Sequence, residues 1–447
     1  MKKNNLCFAL EKGLNENIVK KISNYKQEQD DMLDLRLKAY HSFLKQKNPN
    51  WTNDISNIDF NEFYYFITHD NNVNKDWDDV PSDIKETFKK LGILEAEAKF
   101  LNGVSTQFDS EIIYHNHKKE LDKQGIIFCD TDTAYKKHHD LFMKYFNKLV
   151  PYTDNKYAAL NTAVWSGGTF IYVPKNVSVQ MPLQSYFRIN NRSLGQFERT
   201  LIILDEGASL HYIEGCTAPI YSSNNLHAAV VEIFVEKNAS MKYTTIQNWS
   251  NNVLNYVTKR ALVKENANMT WIDGNLGSKH NIKFPCCILA GKNARGNCIS
   301  IAVANKNTIQ DTGAKMIHLA PNTKSNIVSK TIGYQNSKSI FRGLIKITKS
   351  APNSFASITC DSLLSDPNII SDTIPCEILE NNSSYINHEA SVSNFNLEQL
   401  EYLSSRGLEQ KTAEHLLILG FIDIFAKELP MEYAIELNRL LKFNYDN

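Results

Sequence analysis

Short apolar runs, each soon followed by an Asn or Gly and a small residue, recur through the middle of the chain. Phe170-Ile171-Tyr172-Val173, Leu201-Ile202-Ile203-Leu204, Ile233-Phe234-Val235 and Ala261-Leu262-Val263 are four of the runs. The corners are Asn176-Val177, Gly207-Ala208, Asn238-Ala239, Asn266-Ala267, Asn293-Ala294, Asn322-Thr323, Asn353-Ser354 and Asn382-Ser383. Counted from the second residue of each corner, the steps are 31, 31, 28, 27, 29, 31 and 29 residues. Asn and Gly tolerate positive φ, so each pair reads as a tight turn. A β-run, a corner and another β-run at this period predict a solenoid, here a right-handed parallel β-helix. Pro174, Pro182 and Pro285 fall at corners or run ends, where a strand tolerates them.

The flanks follow other patterns. Residues 1–157 read as a helical and mixed region, with Leu33, Leu35, Leu37 and Phe43 marking one segment. Pro81-Ser82-Asp83-Ile84-Lys85 reads as a helix start capped by Ser82, and a further helix is expected over 133–149. Residues 158–393 show no period of 3.6 and form the expected β-helix core. Beyond them, 394–447 turn helical: 397–406 closed by Gly407, 412–429 stopped by Pro430, then 432–443.

A solenoid stacks equivalent positions, so offsets from each corner define lanes. Offset +2 begins Val179, Leu210, Met241, Met269, and offset +4 holds Met181, Tyr212, Tyr243, Trp271, Cys298, Ile327, Ile358 and Asn387. With side chains alternating along a strand, even offsets face inward. Offset +6 then holds Glu214, Thr245, Asp273, Ser300, Ser329, Cys360 and Glu389, and offset +8 begins Cys216, Gln247, Asn275. This places Cys360 against Glu389 and Cys216 against Gln247 on consecutive turns, with His388 on the other face unless a bulge re-aims it. Satisfied polar groups at a solenoid edge are the plain reading. A thiol stacked on a carboxylate beside a histidine also suits a metal, which would satisfy all three.

Composition narrows the alternatives. Lys+Arg and Asp+Glu are 49 each in 447 residues, so no net field favours nucleic acid or an anionic membrane. No uninterrupted apolar run approaches the length of a membrane span. The N-terminus passes too soon into charged sequence for a signal peptide, and eight cysteines are too sparse for a disulfide scaffold. A reducing compartment is expected. Free use of Lys and Asn suggests an A+T-rich genome.

Cys360-Asp361-Ser362-Leu363-Leu364 with His388-Glu389-Ala390 closely resembles the SufB/SufD family of the SUF iron–sulfur cluster assembly system, and within it the SufB scaffolds. The resemblance continues at Glu214-Gly215-Cys216-Thr217-Ala218-Pro219, Leu226-His227-Ala228-Ala229-Val230-Val231-Glu232, Gln247-Asn248-Trp249 and Val257-Thr258-Lys259-Arg260-Ala261-Leu262. It also includes Asp311-Thr312-Gly313-Ala314-Lys315-Met316-Ile317-His318, Arg36-Leu37-Lys38-Ala39 and Phe108-Asp109-Ser110-Glu111, so it spans nearly the whole chain.

The resemblance implies a scaffold for new iron–sulfur clusters, itself no enzyme. Cys216 matches the sulfur-accepting thiol, and Cys360 matches the cluster ligand, assisted by Glu389 and His388. Arg188, Asn190, Gln247, Trp249 and Lys259 match polar residues along a path between the two thiols. The implied partners are the ATPase SufC at the C-terminal helices, SufD or a second SufB at the solenoid end, and a cysteine desulfurase with its carrier (SufS and SufE type). The cargo is a transient iron–sulfur cluster, and reduced flavin is a further cofactor the resemblance allows. An accessible Cys216, its thiolate stabilised by Lys259 and Arg188, is expected. A plastid or apicoplast is the expected compartment, with a bacterial cytoplasm as runner-up.

Asn387 departs from the family pattern, which carries Glu before His-Glu, and Cys376 replaces an aromatic residue. Cys376, Cys286, Cys298, Cys129 and Cys7 read as structural, and Cys287 as an exception because its strand position matches the family. Two other classes remain: a SufD-like structural partner, which the presence of both Cys216 and Cys360 argues against, and a β-helix carbohydrate-active enzyme. The latter needs a surface groove lined by paired Asp or Arg residues at consecutive rungs, and aspartates are scarce at repeated offsets. No G-x-x-x-x-G-K-[ST] string occurs, so ATP hydrolysis is assigned to a separate subunit.

Overall fold

The computed structural model describes residues 8–52, 55, 58–68, 103–117, 119–218, 222–365, 368–429, 434 and 437. It is mainly β, a β-solenoid of about 8 turns with helices towards both termini. One sheet runs from Leu183–Arg188 through Ser209–Thr217, Ser240–Trp249, Asn268–Gly277, Arg295–Ala304, Lys324–Gly333 and Phe355–Leu364 to Tyr385–Asn394. The other runs from Thr169–Val173 through Arg199–Leu204, Val230–Val235, Val253–Val263, the pair His280–Lys283 and Cys286–Leu289, Ile309–His318 and Lys338–Ile347 to Ile370–Leu379. Successive turns pair in parallel. At the N-terminal end each sheet finishes on an antiparallel strand, Glu111–His117 or Ile127–Asp130. At the other end, Ile370–Leu379 and Tyr385–Asn394 have no strand beyond them among the described residues.

Seven of the eight expected corners adopt positive φ, from 54° at Asn266 to 71° at Gly207. The single Gly has a packing reason: a Cβ there would lie 2.4 Å from Asn176 Oδ1. The Asn side chains also form a ladder, Asn293 Nδ2 donating to Asn266 Oδ1 at 2.9 Å and Asn266 Nδ2 to Asn238 Oδ1 at 3.2 Å. The observed pairings step by 31, 31, 28, 27, 29 and 31 residues from Ser178 through Ser209, Ser240, Asn268, Arg295 and Lys324 to Phe355, as expected.

The last corner differs. Phe355 pairs with Tyr385, a step of 30, and Asn382 is not in the positive-φ region. Asn381 organises this corner: its Nδ2 donates to Thr348 O and Ala351 O, and its Oδ1 accepts from Ser383 N. The equivalent of Asn353-Ser354 is Ser383-Ser384, one residue later than the corner the spacing chose. Every residue beyond it therefore sits one place away from its expected lane and on the opposite face.

Apolar inward residues build the core. In the second sheet one column holds Ile171, Ile202, Ile233, Ala261, Cys287, Met316 and Ile345, all within a single buried cluster. In the first sheet Tyr212, Tyr243, Trp271, Cys298, Ile327 and Ile358 stack likewise. Cys287 and Cys298 are thus both buried core residues.

The helical expectations need three corrections. A helix at Lys156–Val164, capped by Asn155, lies inside the span read as purely β. Seven of its residues beyond Lys156 are apolar or small and nearly all are buried, and a helix buried all round shows no amphipathic stripe. The helix expected over 133–149 is two, Thr131–Lys137 and His139–Tyr145, broken at His138. That expected over 412–429 is Gln410–Phe421 followed by Asp423–Ala426. Leu397–Ser405 does end at Gly407, with φ +89°. The Ser82 cap, nearly all of 432–443 and Cys7 lie outside the described residues.

Candidate functional site

Cys216 ends the strand Ser209–Thr217 and pairs with Gln247, the one lane of thiol and amide that the spacing predicted. Its surroundings differ from expectation. The thiol is fully buried among Ile67, Phe187, Ile189, Leu194, Trp249 and Val253. Burial pushes it well above an ordinary cysteine, the Glu214 and Glu198 carboxylates push the same way, and Lys259 and Lys283 pull less strongly downward. The resting thiol is therefore protonated, and it donates toward Glu214 Oε1 at 3.8 Å. An accessible, cation-stabilised thiolate is not what the fold provides.

Lys259 explains why. Its ammonium lies 3.5 Å from Glu214 Oε1 and 3.5 Å from Asp273 Oδ1, and 4.6 Å from the centre of the Tyr243 ring. It neutralises carboxylates in the lumen and raises its own pKa against the pull of burial. Lys283, which the sequence reading missed, extends this network. Its Nζ is 3.3 Å from Asp273 Oδ2 and donates to Gln247 Oε1 at 3.0 Å, and burial lowers its pKa to about 8. Asn255 Nδ2 donates to the same Gln247 oxygen, leaving Gln247 Nε2 without an acceptor among the described residues. Trp249 Nε1 is likewise buried and unpaired. Two unsatisfied donors beside a thiol are a recognisable place for an anionic sulfur species.

Arg188 and Asn190 lie nearer the surface. Arg188 Nη1 donates to Thr217 Oγ1 at 3.1 Å, next to Cys216 in the chain, and Asn190 N donates to Asp109 Oδ1 at 2.7 Å.

One inward column joins the two thiols. Glu214, Thr245, Asp273, Ser300, Ser329 and Cys360 are successive ladder partners. Five steps of strand spacing put its ends roughly 24 Å apart. Every member carries a hydrogen-bonding or ionisable group, in contrast to the apolar column from Tyr212 to Ile358 on one side, while the column from Cys216 through Gln247 and Asn275 on the other side is also largely polar.

At the far end the altered corner decides which residues meet. Cys360 pairs with Ala390, whereas Glu389 pairs with Thr359 and is exposed, so the expected stacking of Cys360 on Glu389 fails. His388 pairs with Ile358 and turns inward, its Nε2 3.4 Å from Cys360 Sγ. Cys360 also donates toward the backbone oxygen of Glu389 at 3.6 Å, so that residue contributes only its main chain here. Asn387 points the other way, in the lane of Ser357. Burial raises the Cys360 thiol, and the neighbouring Asp361 adds to the rise. Among the described residues no three His, Cys, Asp or Glu side chains converge as a metal cage.

Two family descriptions match this chain: "SufBD protein N-terminal region" over residues 17–185, and "SUF system FeS cluster assembly, SufBD core domain" over residues 187–421. The chain belongs to the SufBD family.

It is 54% identical over 439 residues to an iron–sulfur cluster assembly SufBD family protein of Staphylococcus saprophyticus, covering 98% of this chain and 94% of that one. Relatives of the same description from Staphylococcus aureus strains MRSA252 and N315 match to the same extent. SufBD membership supports a role in iron–sulfur cluster assembly. These staphylococcal relatives overturn the expected plastid or apicoplast origin and point to a bacterial cytoplasm. The A+T-like composition was a statement about codons, which bacteria with such genomes share. No helix among the described residues is long and apolar enough to cross a membrane.

Proposed function

We propose that this SufBD protein is a SufB-type scaffold that takes up sulfur at Cys216 and assembles a cluster at Cys360 with His388. The polar inward column from Glu214 to Cys360 is the observation that carries this reading. The solenoid keeps carboxylates and hydroxyls buried in register over five turns, beside the apolar column from Tyr212 to Ile358, at a cost that a purely structural partner has no reason to meet. In the uptake step the Cys216 sulfur attacks the outer sulfur of a donor persulfide, and the donor thiolate leaves with the bonding electrons. Glu214, which accepts the thiol's hydrogen bond, is placed to receive its proton. Gln247 Nε2 and Trp249 Nε1 then face the new anionic sulfur. Because Cys216 is sealed, uptake requires local opening around Trp249 and Ile67.

One thiolate and one imidazole hold iron less firmly than the four thiolates of stable cluster proteins, which suits cargo that must be released. Donors from a partner complete the set. The terminal strands support such a partner, SufD or a second copy: among the described residues no strand pairs with their outer edges, and Ile370, Ile374, Ile378, Tyr385 and Val392 are exposed. The C-terminal helices expose Leu397, Tyr402, Leu416 and Ile424, a surface that fits docking of the ATPase SufC. A SufE/SufS-type carrier and desulfurase would deliver the sulfur. Electrons are assigned to a separate donor, reduced flavin being the one the resemblance allows.

Anaerobic reconstitution with iron and sulfide, alone and with SufC and SufD, tests the reading. Cys360→Ala should lose the cluster's visible absorbance and bound iron. Cys216→Ala should lose persulfide transfer, read as added sulfur mass, while keeping cluster binding from free sulfide. If both variants behave as wild type, the chain is a SufD-like structural partner.

A further inference from the structure

The last turn of the solenoid breaks two apolar columns at once. Ile171, Ile202, Ile233, Ala261, Cys287, Met316 and Ile345 are followed in register by Glu377. Tyr212, Tyr243, Trp271, Cys298, Ile327 and Ile358 are followed by His388. The two replacements come from different sheets, and they meet: His388 Nδ1 lies 2.8 Å from Glu377 Oε1. The other ring nitrogen, Nε2, lies 3.4 Å from Cys360 Sγ. Glu377 lies on a terminal strand with about a third of its side chain exposed, and among the described residues His388 is the group its carboxylate meets.

We propose that Glu377 is the positioning residue of this site: by accepting Nδ1–H from His388, it fixes the tautomer and ring orientation that present the Nε2 lone pair beside Cys360. An imidazole bound to a metal through one nitrogen regularly donates its other N–H to such an oxygen, and the outer partner holds the ring and raises its basicity. Glu377 thus supplies, from the opposite sheet, a carboxylate to a chain with Asn at 387 and with Glu389 turned outward. The corner at Asn381 is what makes this possible. In the register the spacing predicted, one residue earlier, His388 would lie on the outer face, out of reach of both Cys360 and Glu377.

The proposal rests on the reading of Cys360 and His388 as the cluster-holding pair, and two measurements separate the two claims. The first uses the full-length metal-free chain with 15N-labelled histidine, the His388 signals being assigned by their loss in His388→Ala. In the wild type His388 should show a protonated Nδ1 and an unprotonated Nε2. Glu377→Ala should give a tautomer mixture, and Glu377→Gln, whose amide oxygen still accepts, should restore the wild-type pattern. An unchanged pattern in Glu377→Ala would overturn the proposal.

The second measurement is anaerobic iron and sulfide reconstitution of the same variants. Glu377→Ala should bind iron about 10-fold more weakly with an altered visible circular dichroism spectrum. It should add nothing to the effect of His388→Ala, since the two act through one ring. Full additivity would also overturn the proposal. If Cys360→Ala kept its iron while the histidine signals responded as described, the cluster assignment would fall and the orienting role of Glu377 would stand. Glu377 is partly exposed on a terminal strand, so the thermal midpoint of Glu377→Ala should match wild type, excluding misfolding as the cause.

Discussion

Burial separates the cysteines more sharply than their sequence neighbourhoods do. Cys376 stands exposed on the last strand of its sheet, in the outward lane of Leu344, while Cys216, Cys287 and Cys298 are fully buried in the lumen. Cys360 lies between these extremes, buried but at the open end. Only the thiolate reacts with an alkylating agent, and burial disfavours it. Brief treatment of the native chain with iodoacetamide at pH 8 should therefore label Cys376 first and leave Cys216 unmodified until denaturant is added. Peptide mass mapping reads the order, and fast labelling of Cys216 would contradict the sealed site. The residues gathered at Cys216 were partly legible, because stacking by equal steps brings Gln247 beside it. Lys283 was not. It comes from the opposite sheet, and within-sheet ladder spacing says nothing about which side chains meet across the lumen.

Corners decide everything that the strands display. At Asn266 two effects coincide: a backbone at φ 54° and hydrogen bonds to Asn238 and from Asn293. Asn266→Ala loses both and should destabilise by about 1–3 kcal/mol. Asn266→Gly keeps the backbone freedom and loses only the side-chain bonds, so it should cost less. Urea unfolding of the two variants checks the order. The helix Lys156–Val164 illustrates the opposite situation, in which a real element leaves no periodic trace because it is enclosed on all sides. Its cap was present in the sequence, since Asn155 Oδ1 accepts from Tyr157 N and Ala158 N, but no polar face followed to confirm it.

A buried ion pair of the solenoid also holds the N-terminal segment, through hydrogen bonds to the backbone of residues 147–150. Arg199 and Glu232 are both fully buried at 2.6 Å, and Glu232 also accepts from the backbone of Asn147, Leu149 and Val150. Arg199→Met would leave that carboxylate uncompensated and should cost about 3–5 kcal/mol, seen as a lowered thermal midpoint. Acid should act on the fold through histidines. Burial lowers His211, His280 and His318 from 6.5 to about 4. Below pH 6.5 the unfolded chain binds protons that the folded chain refuses, so stability falls as pH drops from about 6.5 to 4 and is level above that window. The cost is on the order of 1–2 kcal/mol per histidine at pH 5. His318→Asn should flatten the decline of thermal midpoint between pH 7 and pH 5, and an unchanged slope would count against this cause. Both His318 nitrogens are within hydrogen-bonding reach of hydroxyls, Thr323 Oγ1 at 2.8 Å and Ser325 Oγ at 2.9 Å, partners an amide can keep.

The repeat of Asn corners was enough to establish the solenoid, its inward lanes and the pairing of Cys216 with Gln247, because strand spacing is fixed and equal steps must stack. Six steps agreed between sequence and structure for that reason. The seventh did not, and the site at Cys360 hangs on it. Which residue closes a corner depends on side-chain hydrogen bonds such as those of Asn381, which form only when the preceding turn is in place. With alternation along a strand, that shift of a single residue exchanges Glu389 for His388 at the thiol. Contacts across the lumen, Lys283 with Gln247 and Glu377 with His388, belong wholly to the folded state: they join residues from different sheets, whose relative position is set by packing of the core and by no period in the chain.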